Sequence, residues 1–219
     1  MRKICVAPSI LSADFAAMGE AVTELERCGA DLIHCDVMDG TFVPKITFGT
    51  DMISAVRRRT ALPLDVHLMC VDPLGKAEGF VRAGADILTV HAEACEDPAA
   101  AMRAIRAMGV RAGIAVSPDT PLEGLWGCLE EADMLLVMSV YPGRGGQKLI
   151  ERTLAKAEEA YSFFKAAGLD KDIEMDGGIT EDNAADVQAA GVNILVAGNT
   201  VFRSPDKAKT IRILREARA

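Results

Sequence analysis

Residues 32–40 read Leu32-Ile33-His34-Cys35-Asp36-Val37-Met38-Asp39-Gly40, an apolar run that takes on polar residues and then turns at a glycine. The pattern predicts a buried strand. Side chains alternate faces along a strand, so His34, Asp36 and Met38 share one side while Cys35 and Val37 take the other. A histidine and a carboxylate two residues apart, projecting together from a strand end, are half of a metal site. The same pair also suits a structural His–Asp contact that caps a turn.

Outward from this stretch, short β-type apolar runs alternate with helical patterns along the whole chain. Strands are expected at 4–10, 32–37, 64–68, 87–91, 112–116, 134–139, 173–175 and 194–197. Helices are expected at 13–27, 50–59, 73–83, 98–108, 121–130, 149–167, 181–190 and 205–217. Several open with Asp, Ser or Thr ahead of a proline or an acidic residue, as helix N-termini do. Eight strand–helix units in 219 residues predict a closed parallel (β/α)8 TIM barrel, one α/β domain over 1–219. An internal echo supports this. Cys28-Gly29-Ala30-Asp31, Ala83-Gly84-Ala85-Asp86 and Ala190-Gly191-Val192-Asn193 each end a helix and open a strand. Glu131-Ala132-Asp133 does so without glycine. The echo precedes every second strand, as a repeated unit of two strands and two helices gives. An open doubly wound sheet is the competing architecture, but it needs a dinucleotide glycine fingerprint after the first strand, and 9–14 contain none.

Composition narrows the function. Half of the residues are hydrophobic, enough for a sizeable core. A net charge of -8 without a basic run argues against nucleic acid, and scarce aromatics argue against a base-stacking platform. Cys5, Cys28, Cys35, Cys70, Cys95 and Cys128 form no C-x-x-C and read as small apolar fillers in a reducing cytosol, so a cytoplasmic location is expected. Pro8 interrupts the only short N-terminal apolar run, so neither a signal peptide nor a membrane span is expected.

In such a barrel the working residues sit at the C-terminal strand ends. There the sequence places Ser9, His34, Asp36, Met38, Asp65, His67, Met69, His91, Glu93, Met138, Ser139 and Asp176. His34, Asp36, His67 and Asp176 together suit one divalent ion such as Zn, Mn, Co or Fe. Taken alone, His67 reads equally as a satisfied core histidine. His91 is expected to be structural or to support a ligand, and Asp65, on the face of His67, to orient that ring. Glycine turns follow the last three strands: Gly143-Arg144-Gly145-Gly146, Gly177-Gly178 and Gly198-Asn199. Such loops let several backbone N–H groups approach one phosphate. Met38, Met69 and Met138 read either as core filler or as an unreactive lining over a planar intermediate.

These motifs resemble the ribulose-phosphate 3-epimerase family along essentially the whole chain. The matching segments are Ala7-Pro8-Ser9-Ile10-Leu11-Ser12-Ala13-Asp14-Phe15, Asp36-Val37-Met38-Asp39-Gly40, Phe42-Val43-Pro44, Leu64-Asp65-Val66-His67-Leu68-Met69, Met138-Ser139-Val140, Gly145-Gly146-Gln147 and Asp176-Gly177-Gly178-Ile179. The resemblance implies a (β/α)8 barrel interconverting ribulose 5-phosphate and xylulose 5-phosphate. It implies a metal held by His34, Asp36, His67 and Asp176, with Asp36 as proton acceptor and Asp176 as proton donor. Ser9 and His67 match substrate contacts, and the three glycine loops match the phosphate side. Tyr141, Arg144, Asn199 and Thr41 depart from the family's common Asn, aromatic, Ser and His.

The expected chemistry is C3 epimerisation of a ketose phosphate through a cis-enediolate, with no nucleotide cofactor, no nucleic-acid or membrane partner, and assembly as a homo-oligomer. The alternatives are a 3-epimerase of a hexulose 6-phosphate such as allulose 6-phosphate, a phosphosugar lyase or synthase of the same fold, and a non-catalytic phosphosugar-binding barrel. No lysine stands at an obvious strand end to form a Schiff base.

Overall fold

Every expected strand forms in the computed structural model, which describes residues 2–217; the outermost ends of the expected 1–219 domain lie outside that range. The strands are β1 (Cys5–Ala7), β2 (Ile33–Met38), β3 (Leu64–Met69), β4 (Ile87–His91), β5 (Arg111–Val116), β6 (Met134–Met138), β7 (Asp172–Asp176) and β8 (Ile194–Val196). The helices are α1 (Met18–Arg27), α2 (Thr50–Arg57), α3 (Pro73–Ala83), α4 (Pro98–Ala107), α5 (Trp126–Glu131), α6 (Arg152–Ala166), α7 (Ala184–Ala189), α8 (Gly198–Phe202) and α9 (Lys207–Glu216). The strands are parallel in the order β1-β8-β7-β6-β5-β4-β3-β2. The barrel closes between β1 and β2, where Asp31 N–H donates to Val6 C=O at 3.0 Å and His34 N–H to Pro8 C=O at 3.2 Å.

Local chemistry explains where the elements stop. The first strand ends sooner than expected because Pro8 has no N–H for the ladder. Ser9 then caps a short 3-10 turn, Ile10–Ser12, by accepting from Leu11 N–H at 3.3 Å. Helices α3 and α4 begin where the sequence indicates, and α9 begins two residues later than expected. Asp72, Asp97 and Asp206 each accept an N–H three residues on, at 3.1, 2.9 and 3.0 Å. The expected helix at 121–130 is trimmed to α5, since a turn occupies the residues before it. Helix α8 was not expected; the glycine turn Gly198-Asn199 is its first turn.

The internal echo is the joint that holds the barrel's lower rim. Each echo ends in Asp31, Asp86, Asp133 or Asn193. Its side-chain oxygen accepts the N–H of Val6, Leu64, Ala112 or Ile173, at 3.0, 2.8, 2.9 and 2.8 Å. Its own backbone N–H returns a bond to the carbonyl of the same residue, at 3.0, 3.0, 2.8 and 2.9 Å. Four equal joints thus tie β1, β3, β5 and β7 to the strands that follow them. Gly84, at φ +112°, shows why glycine precedes one of them: the chain leaves α3 in the left-handed region.

Side chains divide by strand face. Outward residues such as Val6, Val37, Val66, Val90, Ile114, Val137, Met175 and Leu195 join the main core beneath the helices. Inward residues form a separate plug, with Ala7, Leu32, Ile87, Met134, Ile194 and Val196 together. Above that plug the interior turns polar, with His34, Asp65, His67, Thr89 and Glu174 all fully buried. All six cysteines are free, and Cys35, Cys70 and Cys128 are buried as fillers.

Asn193 shows that an amide oxygen suffices at the joint. Asp133→Asn should therefore stay within about 0.5 kcal/mol of the parent chain, while Asp133→Ala should lose roughly 1–3 kcal/mol by orphaning the Ala112 N–H. Urea unfolding of the two variants checks this; equal losses would contradict the joint.

Candidate active site

Asp36 is the hub of the polar mouth. It lies near the end of β2, 3% exposed, yet its two oxygens meet three groups. Ser9 Oγ donates to Oδ2 at 2.5 Å. Oδ1 stands 3.2 Å from His34 Nε2 and 3.1 Å from His67 Nδ1. The parallel register creates this arrangement. Asp36 pairs with His67 across β2 and β3, and Ser9 bridges to His34 from the end of β1. Asp176, the last residue of β7, completes the group. His34, Asp36, His67 and Asp176 each offer a ligand atom, all within 4.8 Å of one another. Two imidazole nitrogens and two carboxylate oxygens so converged fit a borderline divalent cation.

Charge inside this cluster is strongly biased. Burial alone would disfavour the charged His34 ring, but the Asp36 and Asp65 carboxylates outweigh it and raise its pKa well above the usual histidine range. Burial likewise opposes ionisation of Asp36, and the charged His34 beside it overrides that and holds Asp36 well below the usual carboxylate range. Asp176 feels the charged His34 too weakly to do the same. Burial and the negative Asp36 push it up to about 7. His67 is depressed to about 4, first by burial, so its ring is neutral at pH 7.

Asp65 corrects the reading of the sequence. Its Oδ2 lies 2.6 Å from His34 Nδ1, so it orients His34, not His67. The register is the reason. Asp65 pairs with His34, whereas His67 stands two residues further along β3 beside Asp36. His67 is instead held from behind by His91, with the two Nε2 atoms 2.9 Å apart. His91 Nδ1 lies 3.1 Å from Glu93 Oε2. Glu174 was missed altogether. It is fully buried on β7 two residues before Asp176, and its Oε1 is 3.5 Å from His34 Nδ1. Burial and the Asp65 charge raise its pKa well above the usual range, which favours its neutral form. A charged residue on the inward period of a buried strand was the available signal.

A cavity of about 780 Å³ opens onto this cluster. Ser9, Asp36 and Asp176 line it, together with Met38, Met69 and Met138. Gly143, Arg144, Gly145, Gly146, Gly177, Gly178, Gly198 and Asn199 line it too, so all three glycine loops reach one space. His34 and His67 do not line it; both are fully buried behind Asp36. Gly178 shows why a side chain is excluded from this wall. Its φ is +68°, and a Cβ there would lie 2.2 Å from Leu149 N. Asn199 leans across the cradle, since a Cβ on Gly146 would lie 2.6 Å from its Nδ2. Tyr141 also lines the cavity, its hydroxyl donating to Asp119 Oδ2 at 2.9 Å, while the exposed Arg144 side chain has no ion-pair partner among the described residues.

Comparison with known proteins agrees with this geometry. The model of the ribulose-phosphate 3 epimerase family matches residues 5–202. A ribulose-phosphate 3-epimerase of Bacillus subtilis is 47% identical over 213 residues, covering 97% of this chain and 98% of that protein. The chloroplastic ribulose-5-phosphate-3-epimerase of Arabidopsis thaliana is 45% identical over 214 residues, covering 95% of this chain and 75% of that protein. Among solved structures, a 3-hexulose-6-phosphate synthase superposes with a TM-score of 0.65 at 22% identity, covering 100% of both chains. KGPDC from Streptococcus mutans superposes with a TM-score of 0.72 at 14% identity, covering 99% of this chain and 97% of that one. Those likenesses show the barrel alone. The sequence matches go further, and on them the chain belongs to the ribulose-phosphate 3-epimerase family and, with it, to the carbohydrate epimerases among the isomerases.

Proposed function

We propose that the chain interconverts D-ribulose 5-phosphate and D-xylulose 5-phosphate by moving the C3 proton between Asp36 and Asp176. The observation that carries this reading is the meeting of those two carboxylates, from β2 and β7, at one cavity. Inverting a carbinol carbon beside a ketone requires proton removal on one face and return on the other. Two acids from separate strands, one on each side of the substrate, supply both faces, and the substrate passes through a cis-enediolate. Ser9 donates to Asp36 Oδ2 and fixes the direction of that carboxylate. The three methionines line the cavity with groups that neither donate protons nor attack carbon. Gly143, Gly145, Gly146, Gly177, Gly178, Gly198 and Asn199 are read as the phosphate side, with Arg144 adding a charge-assisted contact. Anchoring the phosphate holds C3 between the acids. His34, Asp36, His67 and Asp176 would hold one divalent cation, Zn, Mn, Co or Fe, which supplies Lewis-acid stabilisation of charge developing on oxygen.

The same reading includes a cytoplasmic homo-oligomer. The oligomer rests on two exposed apolar side chains in the loops after β2 and β3, Ile46 at 73% and Val71 at 45%, and the location on the six free cysteines.

Turnover in heavy water should place deuterium at C3 of the product, and Asp36→Asn should lower kcat by about 10²–10⁴-fold. Product free of deuterium would contradict the proton-transfer route.

Cation uptake should depend on pH in a defined direction. Protonated Asp176, at about 7, and charged His34 must give up protons to a cation. Affinity for Mn²⁺ should therefore tighten as pH rises through about 7 and weaken as it falls. Calorimetric titration at several pH values measures it, and an affinity flat across that range would contradict the assignment.

A further inference from the structure

Behind the candidate metal ligands runs a chain whose far members, His91 and Glu93, the proposed reaction does not use. Asp36 Oδ1 is 3.1 Å from His67 Nδ1. His67 Nε2 is 2.9 Å from His91 Nε2, with the rings stacked 28° apart. His91 Nδ1 is 3.1 Å from Glu93 Oε2. Glu93 is fixed in turn. Its Oε1 accepts the Ser117 N–H at 2.8 Å and the Thr120 hydroxyl. These bonds and His91 outweigh the opposing effect of burial and hold Glu93 down to about 2, so its carboxylate only accepts.

Counting protons along this chain, with a cation taking the lone pair of His67 Nδ1, fixes their places. Two carboxylates, Asp36 and Glu93, bracket two imidazoles, which leaves three gaps. A pair of neutral rings carries two N–H protons. Glu93 can only accept, so the proton in its gap belongs to His91 Nδ1. His91 Nε2 is then a bare lone pair and takes the proton of His67 Nε2. The gap left without a proton lies between His67 Nδ1 and Asp36, inside the four-donor cluster, and a lone pair there is what a metal requires.

We infer that Glu93, acting through His91, is a positioning residue: it sets the tautomer of His67 so that Nδ1 is free to bind a cation. Asp65 does the same for His34 directly, by accepting from its Nδ1 and leaving Nε2 facing the cluster. The two histidines are thereby directed by two carboxylates from different strands. The inference rests on the metal reading given above.

The relay makes a prediction that a simple packing role does not. In Glu93→Gln the single carbonyl oxygen must accept from the Ser117 N–H, which turns the amide N–H toward His91 Nδ1. That nitrogen must then accept, both rings reverse, and a proton lands on His67 Nδ1. In Glu93→Ala, water at this exposed rim takes the His91 proton and the native tautomers persist. Zn²⁺ affinity, read by competition with a chelating dye on the full chain, should fall about 10–100-fold in E93Q and by less in E93A. A role confined to packing orders them oppositely, since Gln fills the site and Ala empties it. Nitrogen-15 spectra of the Zn²⁺-loaded parent chain give a variant-free readout, with the proton expected on His67 Nε2 and His91 Nδ1. E93Q binding no more weakly than E93A, or a proton on His67 Nδ1 in the loaded parent, would overturn the relay alone. Failure of the parent chain to take up Zn²⁺, Mn²⁺ or Co²⁺ would overturn the metal reading beneath it.

Discussion

A carboxylate almost sealed from water governs this molecule. Asp36 is 3% exposed, and an unpaired charge so placed costs several kcal/mol. Its neighbours offset that cost at both oxygens: Ser9 donates to Oδ2, and the charged His34 faces Oδ1. Those partners need support of their own. Asp65 stands behind His34, and His91 with Glu93 stands behind His67. The polar interior grows outward from one acid until it reaches groups in contact with solvent.

The barrel makes this arrangement inexpensive to build. In parallel strands the register sets neighbours once, and every second residue then faces inward. One register between β2 and β3 seats Asp65 beside His34 and His67 beside Asp36. The four joints ending in Asp31, Asp86, Asp133 and Asn193 hold the opposite rim, away from the strand ends that carry chemistry. Stability and activity thus occupy different ends of the same strands. The glycine loops after β6, β7 and β8 can approach one cavity closely because the strands beneath them are already fixed.

Much of this was legible in the sequence. Eight alternating units gave the barrel, and the alternation within 32–40 placed His34 and Asp36 on one face. The echo Gly29-Ala30-Asp31 and its relatives marked real joints, although the hydrogen bonds that explain the final Asp could not be seen without the neighbouring strand. What stayed hidden depends on register. Asp65 shares a strand face with both candidate partners, and only the pairing of β2 with β3 decides between them. The contact of Glu174 with His34 and that of His91 with His67 were hidden for the same reason, since each joins two strands. Helix α8 escaped because Gly198-Asn199 reads as a turn, and five residues are too few for a helical period.

The central claim is spatial: acids from β2 and β7 and histidines from β2 and β3 would surround one cation at the floor of one cavity that takes a sugar phosphate. Anomalous diffraction from crystals grown with Mn²⁺ and a ketose-phosphate analogue tests it most directly. The account predicts one peak bounded by His34 Nε2, His67 Nδ1 and the carboxylates of Asp36 and Asp176, with the analogue's C3 between those carboxylates. A cation bound elsewhere, or an analogue lying with both acids on one side of C3, would contradict it.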